Sequence, residues 1–137
     1  MCEYTVERAA ANLPQSAQEP IFTISGGRVM LLVLIPEITT AIQNQANTTS
    51  VYVNPSSGPD TLVWSLGNIQ GLAADRFFGY DQGGSAAIAT SVVPFPLNQT
   101  MVPEGTIDLS CPASNTGQIK WTLVYKPIDA GATVVAA

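Results

Sequence analysis

Ile21-Phe22-Thr23-Ile24-Ser25-Gly26-Gly27-Arg28-Val29-Met30-Leu31-Leu32-Val33-Leu34-Ile35 is the stretch that decides the fold. Ile21 to Ile24 is a β-branched and aromatic run of the kind that suits a pleated strand. Gly26-Gly27 can take positive φ without steric cost, so Ser25 to Arg28 predicts a tight turn and the flanking runs a hairpin. From Val29 to Ile35 both alternating sets are apolar: Val29, Leu31, Val33 and Ile35 in one, Met30, Leu32 and Leu34 in the other. Successive strand side chains point to opposite faces. Such a strand is expected to be covered twice, by a second sheet on one face and by another element or subunit on the other.

Downstream, Pro36 is expected to end the run; the spacing of Ile38, Ala41 and Ile42 could suit a short helix over Glu37 to Gln45, but Thr39-Thr40 and the neighbouring strands favour a strand. Ser50 to Asn54 and Thr61 to Leu66, around Trp64, predict strands separated by the Pro55–Asp60 loop. Phe77 to Tyr80 and Ala86 to Val93 predict two more, with a turn over Asp81 to Ser85. Gly105 to Cys111 alternates cleanly, Pro112 to Gly117 makes a turn, and Gln118 to Tyr125 puts Ile119, Trp121, Leu123 and Tyr125 on one face before Pro127. Short strands at intervals of about 8–12 residues predict an all-β chain, a β-sandwich or jelly-roll-like barrel of antiparallel strands. Residues 1–20 are polar and Ala-rich and are interrupted by Pro14 and Pro20. Tyr4 to Leu13 could form a short helix, but with few apolar anchors the segment predicts an N-terminal extended arm, ordered against a partner if at all. Residues 21–137 are then the β-sandwich domain.

At 137 residues the chain can bury a core without metals or disulfides. Charged residues make up 11%, less than half of the roughly 25% usual in soluble domains. A neutral surface, covered in part by neighbours, is the expectation. The apolar run from Val29 to Pro36 falls far short of the ~20 residues of a spanning helix, so no membrane partner is expected. With Arg8, Arg28, Arg76, Lys120 and Lys126 scattered and a net charge of −5, no basic stripe can be read from the sequence and no nucleic-acid partner is expected. Cys2 and Cys111 read as free thiols of a protein made in a reducing cytosol, and no secretion signal opens the chain.

The chain contains no histidine. That removes the commonest general base, metal ligand and nucleophile partner. No zinc ligand set remains. The ten carboxylates (Glu3, Glu7, Glu19, Glu37, Asp60, Asp75, Asp81, Glu104, Asp108 and Asp129) read as solvated surface charges rather than a glycosidase pair. Gly26-Gly27 and Gly83-Gly84 lack the phosphate-loop patterns, and Asp81-Gln82-Gly83-Gly84 lacks the ligands of a calcium loop. The sequons at Asn47 and Asn98 have no meaning without a secretory route. Trp64, Trp121, Phe77, Phe78, Tyr80 and Tyr125 read as core or interface residues rather than a stacking platform. No catalytic, cofactor or metal residue is therefore assigned, and the chain is expected not to be an enzyme.

Two stretches carry a family resemblance. One is Ile21-Phe22-Thr23-Ile24-Ser25-Gly26-Gly27-Arg28-Val29, running into Leu34-Ile35-Pro36-Glu37-Ile38-Thr39-Thr40-Ala41-Ile42-Gln43. The other is Gly105-Thr106-Ile107-Asp108-Leu109, followed by Thr116-Gly117-Gln118-Ile119-Lys120-Trp121-Thr122-Leu123-Val124-Tyr125-Lys126-Pro127. Over roughly a third of its length the chain resembles small virion structural proteins of tailed bacteriophages, most of all capsid decoration (cement) proteins. The resemblance implies a homotrimer on the outer capsid surface of a virion, made in the host cytoplasm, that ties major capsid protein subunits together. A trimer could bury the second face of Val29 to Ile35 around its axis. The alternative is a tail- or fibre-associated module of the same fold that binds a host surface or glycan.

Overall fold

The computed structural model describes residues 3–77, 79–80, 86–87 and 95–137, with the backbone alone for 64–67, 76–77, 79–80, 86–87 and 95–99. The strands in chain order are β1 (Tyr4–Asn12), β2 (Ala17–Ser25), β3 (Val29–Thr40), β4 (Thr48–Pro55), β5 (Thr61–Asn68), β6 (Arg76–Phe77), β7 (Gly79–Tyr80), β8 (Ala86–Ala87), β9 (Phe95–Val102), β10 (Gly105–Cys111), β11 (Gln118–Pro127) and β12 (Thr133–Ala136). No helix occurs among the described residues. The long strands form two five-stranded sheets, all pairs antiparallel. The first runs β1-β11-β3 with β6 and β9 both on the far edge of β3; the second runs β12-β2-β10-β4-β5. The chain is a β-sandwich.

Alternation along β11 aims Ile119, Trp121, Leu123 and Tyr125 inward, all 5% exposed or less. They meet Leu31, Leu34 and Ile38 of β3 across the ladder. From the second sheet come Phe22, Val51, Val53, Ile107 and Leu109. Between Leu31, Leu34 and Leu123 on one side and Val51, Val53 and Ile107 on the other only about 10 Å³ is unfilled, so the layers are close-packed.

β10 has the predicted limits and β11 runs two residues past the predicted Tyr125 to include Pro127, but four expectations change. The Gly26-Gly27 turn does not close a hairpin, because β2 lies in the second sheet and β3 in the first. It is a corner between layers. A glycine-rich link between two apolar runs has the same local chemistry in either case. Gly26 and Gly27 take φ of 79° and 133°, and the loop after β11 presses on both. A Cβ on Gly26 would strike the Gly131 carbonyl, and one on Gly27 would lie 2.6 Å from the Asp129 Cβ.

The loop after β11 is a second corner crossing beside the first. Arg28 fastens the two, donating from Nε and Nη2 to the Asp129 carboxylate at 2.9 and 2.8 Å and from its backbone N–H at 2.8 Å. The side-chain bond from Arg28, then its backbone N–H, holds the Asp129 carboxyl well below the usual carboxylate range. A depressed native pKa stabilises the fold fully above the unfolded value of about 3.9 and loses that contribution as pH falls through the native value. Asp129→Asn should therefore show a shallower loss of stability than wild type in urea titrations from pH 5 down to 2. The pair is substantially exposed, so the difference should be small.

Second, residues 4–12 are not a free arm or a helix. They form β1, paired with β11 from Tyr4↔Tyr125 to Asn12↔Gln118. The boundary at residue 20 falls inside β2. The backbone ladder holds this segment, and a reading based on apolar anchors cannot see it. Third, Pro36 does not end β3. It lies in the gap between β9, which pairs with Val29 to Leu34, and β6, which pairs with Glu37 and Ile38. A residue without an N–H is tolerated where that edge has no partner strand among the described residues. Fourth, β9 and β12 had no counterpart in the reading. The predicted Asp81–Ser85 turn and most of the Ala86–Val93 strand lie outside the described residues.

Candidate functional site

The doubly apolar strand has one fully buried face and one half-covered face. Val29, Leu31, Leu34, Pro36 and Ile38 are buried, whereas Met30, Leu32, Val33 and Ile35 are half-buried. A register shift at Leu31–Val33 changes which residues face inward partway along. The outer face then reads across the sheet in rows. Thr5 sits beside Val124 and Val33, Glu7 beside Thr122 and Ile35, and Lys126 beside Met30 and Met101. Met101 is 54% exposed.

Both lysines of the chain are on this face, and each is matched by an acid: Lys120 with Glu7 at 3.6 Å and Lys126 with Glu3 at 3.7 Å. Lys120 also lies opposite Glu37 in the ladder. An apolar centre (Met30, Val33, Ile35, Met101, Val124) with matched charges around it has the anatomy of an interface core and rim. The exposed ion pairs add little to the stability of the monomer.

The outer face of the second sheet is chemically different. Thr106, Asp108 and Ser110 of β10 project there, beside Ser50, Tyr52 and Asn54 of β4. Asp108 is buried at 4% exposure, against the expectation of a solvated charge. It accepts from Thr106 Oγ1 at 2.6 Å, Gln18 Nε2 at 2.9 Å and Asn54 Nδ2 at 3.4 Å, and Gln18 Nε2 also donates to Asp60 at 2.7 Å. A buried carboxylate persists when donors satisfy it, and alternation alone could not show those donors. Asp108 and Asp60 share an amide rather than facing an open cleft, so the structure supplies no acid–base geometry for them. No group of three or more His, Cys, Asp or Glu residues that could hold a metal occurs among the described residues.

An open groove of about 520 Å³ runs between Tyr4, Tyr125 and the loop Pro127–Thr133. The two tyrosine rings stack with centroids 5.7 Å apart, and Tyr4 is 50% exposed. The Tyr125 hydroxyl accepts from the Val134 N–H at 3.2 Å, tying β12 to the first sheet. Trp121 is core, as expected, at 1% exposure. The side chains of Trp64, Phe77, Phe78 and Tyr80, and the Asn98 sequon, lie outside the described residues.

Asn47 is buried at 1% exposure and donates to the Ala113 carbonyl at 3.3 Å, so its sequon is closed in the folded chain. Cys111 is buried too, and desolvation pushes its thiol up to about 12. Stabilisation from a raised thiol pKa is complete below the unfolded value of about 8.5 and is lost as pH rises towards the native one. In a Cys2→Ser variant, a thiol reagent at pH 8 should label no cysteine in the native protein and one per chain in denaturant. Rapid native labelling would contradict the burial.

No family model matches the chain, and no curated protein matches it significantly. Among solved structures, it is similar to chains described as the structure of infectious bursal disease virus. For the Gt strain the identity is 14% and the TM-score 0.30, over 98% of this chain and 39% of that one. For the Gx strain they are 17% and 0.25, over 96% and 33%. The chain thus spans between a third and two fifths of the length of those chains. Likeness this slight says nothing about role.

Proposed function

We propose that the chain is a structural virion protein, a capsid decoration or cement protein on the outer capsid surface that bridges major capsid protein subunits as a homotrimer. It is made in the host cytoplasm and catalyses no reaction. The observation that carries this reading is the outer face of β3, β9 and β11, an apolar centre around Met30, Ile35 and Met101 flanked on the β1 side by two Glu–Lys pairs. Covering the centre of such a face removes apolar area from water while the Glu–Lys pairs stay at its edge. The low charge content of 11% is what a surface partly covered by neighbours needs. The test is rebinding of purified protein to particles stripped of it, with solution mass measured in parallel. Trimers that rebind stoichiometrically support the reading, and a monomer that ignores particles sinks it.

A specific observation favours a second reading, a tail- or fibre-associated module for a host surface or glycan. It is the exposed Tyr4 ring stacked on Tyr125 above the open groove, a surface on which a sugar could lie. Retention of the monomer on a glycan array, lost in Tyr4→Ala, is its expected signature.

A further inference from the structure

β1 is weakly anchored by its side chains. None of its side chains is fully buried; Val6, Arg8 and Ala11 are half-buried and the rest exposed. Its ladder to β11 is broken by a bulge between Arg8 and Ala11. The two ion pairs that tie its N-terminal end, Glu3–Lys126 and Glu7–Lys120, are exposed and long. What turns β1 back onto its own chain is a four-residue link, Leu13 to Ser16, that crosses from the first sheet to the second. In that link Ser16 takes φ of 51°, a left-handed conformation that a residue with a Cβ adopts at a cost. Short connections under strain are where strands exchange between copies.

We propose that β1 is exchanged: the β1 of one chain completes the β11 edge of a second copy. This inference rests on the self-association in the reading above. Every copy carries the same donor strand and the same acceptor edge. A β1 arriving from a neighbour therefore makes the Tyr4–Tyr125 stack, both ion pairs and the bond from Gln118 Nε2 to Asn12 Oδ1, just as its own β1 does. Closed and exchanged forms differ mainly at Leu13 to Ser16, where straightening releases the left-handed serine in exchange for rearranging buried Leu13 and the bonds of Gln15 and Ser16 to the 113–115 loop. The few apolar anchors of residues 1–20 then fit a strand whose partner is another copy, even though its fold is β.

The test uses the full chain with Cys2→Ser and a cysteine pair across the two strands, Thr5→Cys with Val124→Cys, or Glu7→Cys with Thr122→Cys. Both pairs are in direct register. Opposed antiparallel residues have Cα atoms about 4.5–5.5 Å apart, within disulfide reach. The protein is sized in solution, oxidised at that concentration, and resolved on non-reducing gels. Exchange predicts covalent oligomers from both pairs and none from the single-cysteine controls. Oligomers in solution whose disulfides are all within one chain overturn exchange while leaving assembly standing. A monomer with intrachain disulfides overturns both. Failure of both pairs to oxidise places β1 away from β11 and also overturns the proposal.

Discussion

Leu34→Asp should leave no folded protein at 25 °C. Leu34 is 1% exposed, lies opposite Leu123 in the ladder, and packs onto Val51, Val53 and Ile107 of the other sheet. Losing its burial costs about 1.5–3 kcal/mol. A carboxylate in its place has no donor among those neighbours, and an unpaired buried charge adds several kcal/mol more. Together these rival the roughly 5–15 kcal/mol that hold a domain. Urea titration followed by tryptophan fluorescence should show no cooperative transition. A cooperative transition near the wild-type midpoint would mean that the layers are not packed as described.

One residue further along, Ile35→Lys should do the opposite. Ile35 is half-buried on the outer face, opposite Thr122, with Glu7 next in the same row. A lysine there can lay its stem on the sheet and extend its charge to water. The monomer should lose no more than about 1 kcal/mol, the size of a partial burial. Association is another matter, because covering that face would desolvate a new charge at its apolar centre. An expected penalty of about 3 kcal/mol is roughly a hundredfold weaker assembly or particle binding. A folded Ile35→Lys protein that assembles and binds like wild type would remove this face from consideration.

The contrast between adjacent residues shows how far the sequence is legible. Local alternation placed β10 and the inward face of β11 correctly, because Ile119, Trp121, Leu123 and Tyr125 bury where period two puts them. It marked β3 as apolar on both sides, and the structure gives that doubling a meaning: a core face and a half-covered outer face. It could not distinguish a hairpin from a corner at Gly26-Gly27, since the difference lies in the 128–132 loop more than a hundred residues away. Nor could it see that Asp108 is buried, because its donors Gln18 and Asn54 come from two other strands. β1 was missed for a related reason. A strand held at one edge by backbone bonds, with no buried side chain, leaves no apolar periodicity to read. The candidate interface was thus half visible: Met30, Val33 and Ile35 from β3 alone, but not Met101, Val124 and the ion pairs that β9, β11 and β1 bring to them.

A reconstruction of the intact virion by electron cryomicroscopy would locate the protein and its apolar face. It should show this sandwich on the outer shell, with the face of Met30, Ile35 and Met101 against a second copy or the major capsid protein. Particles that lack the protein, or that carry it with that face open to solvent, would contradict the account.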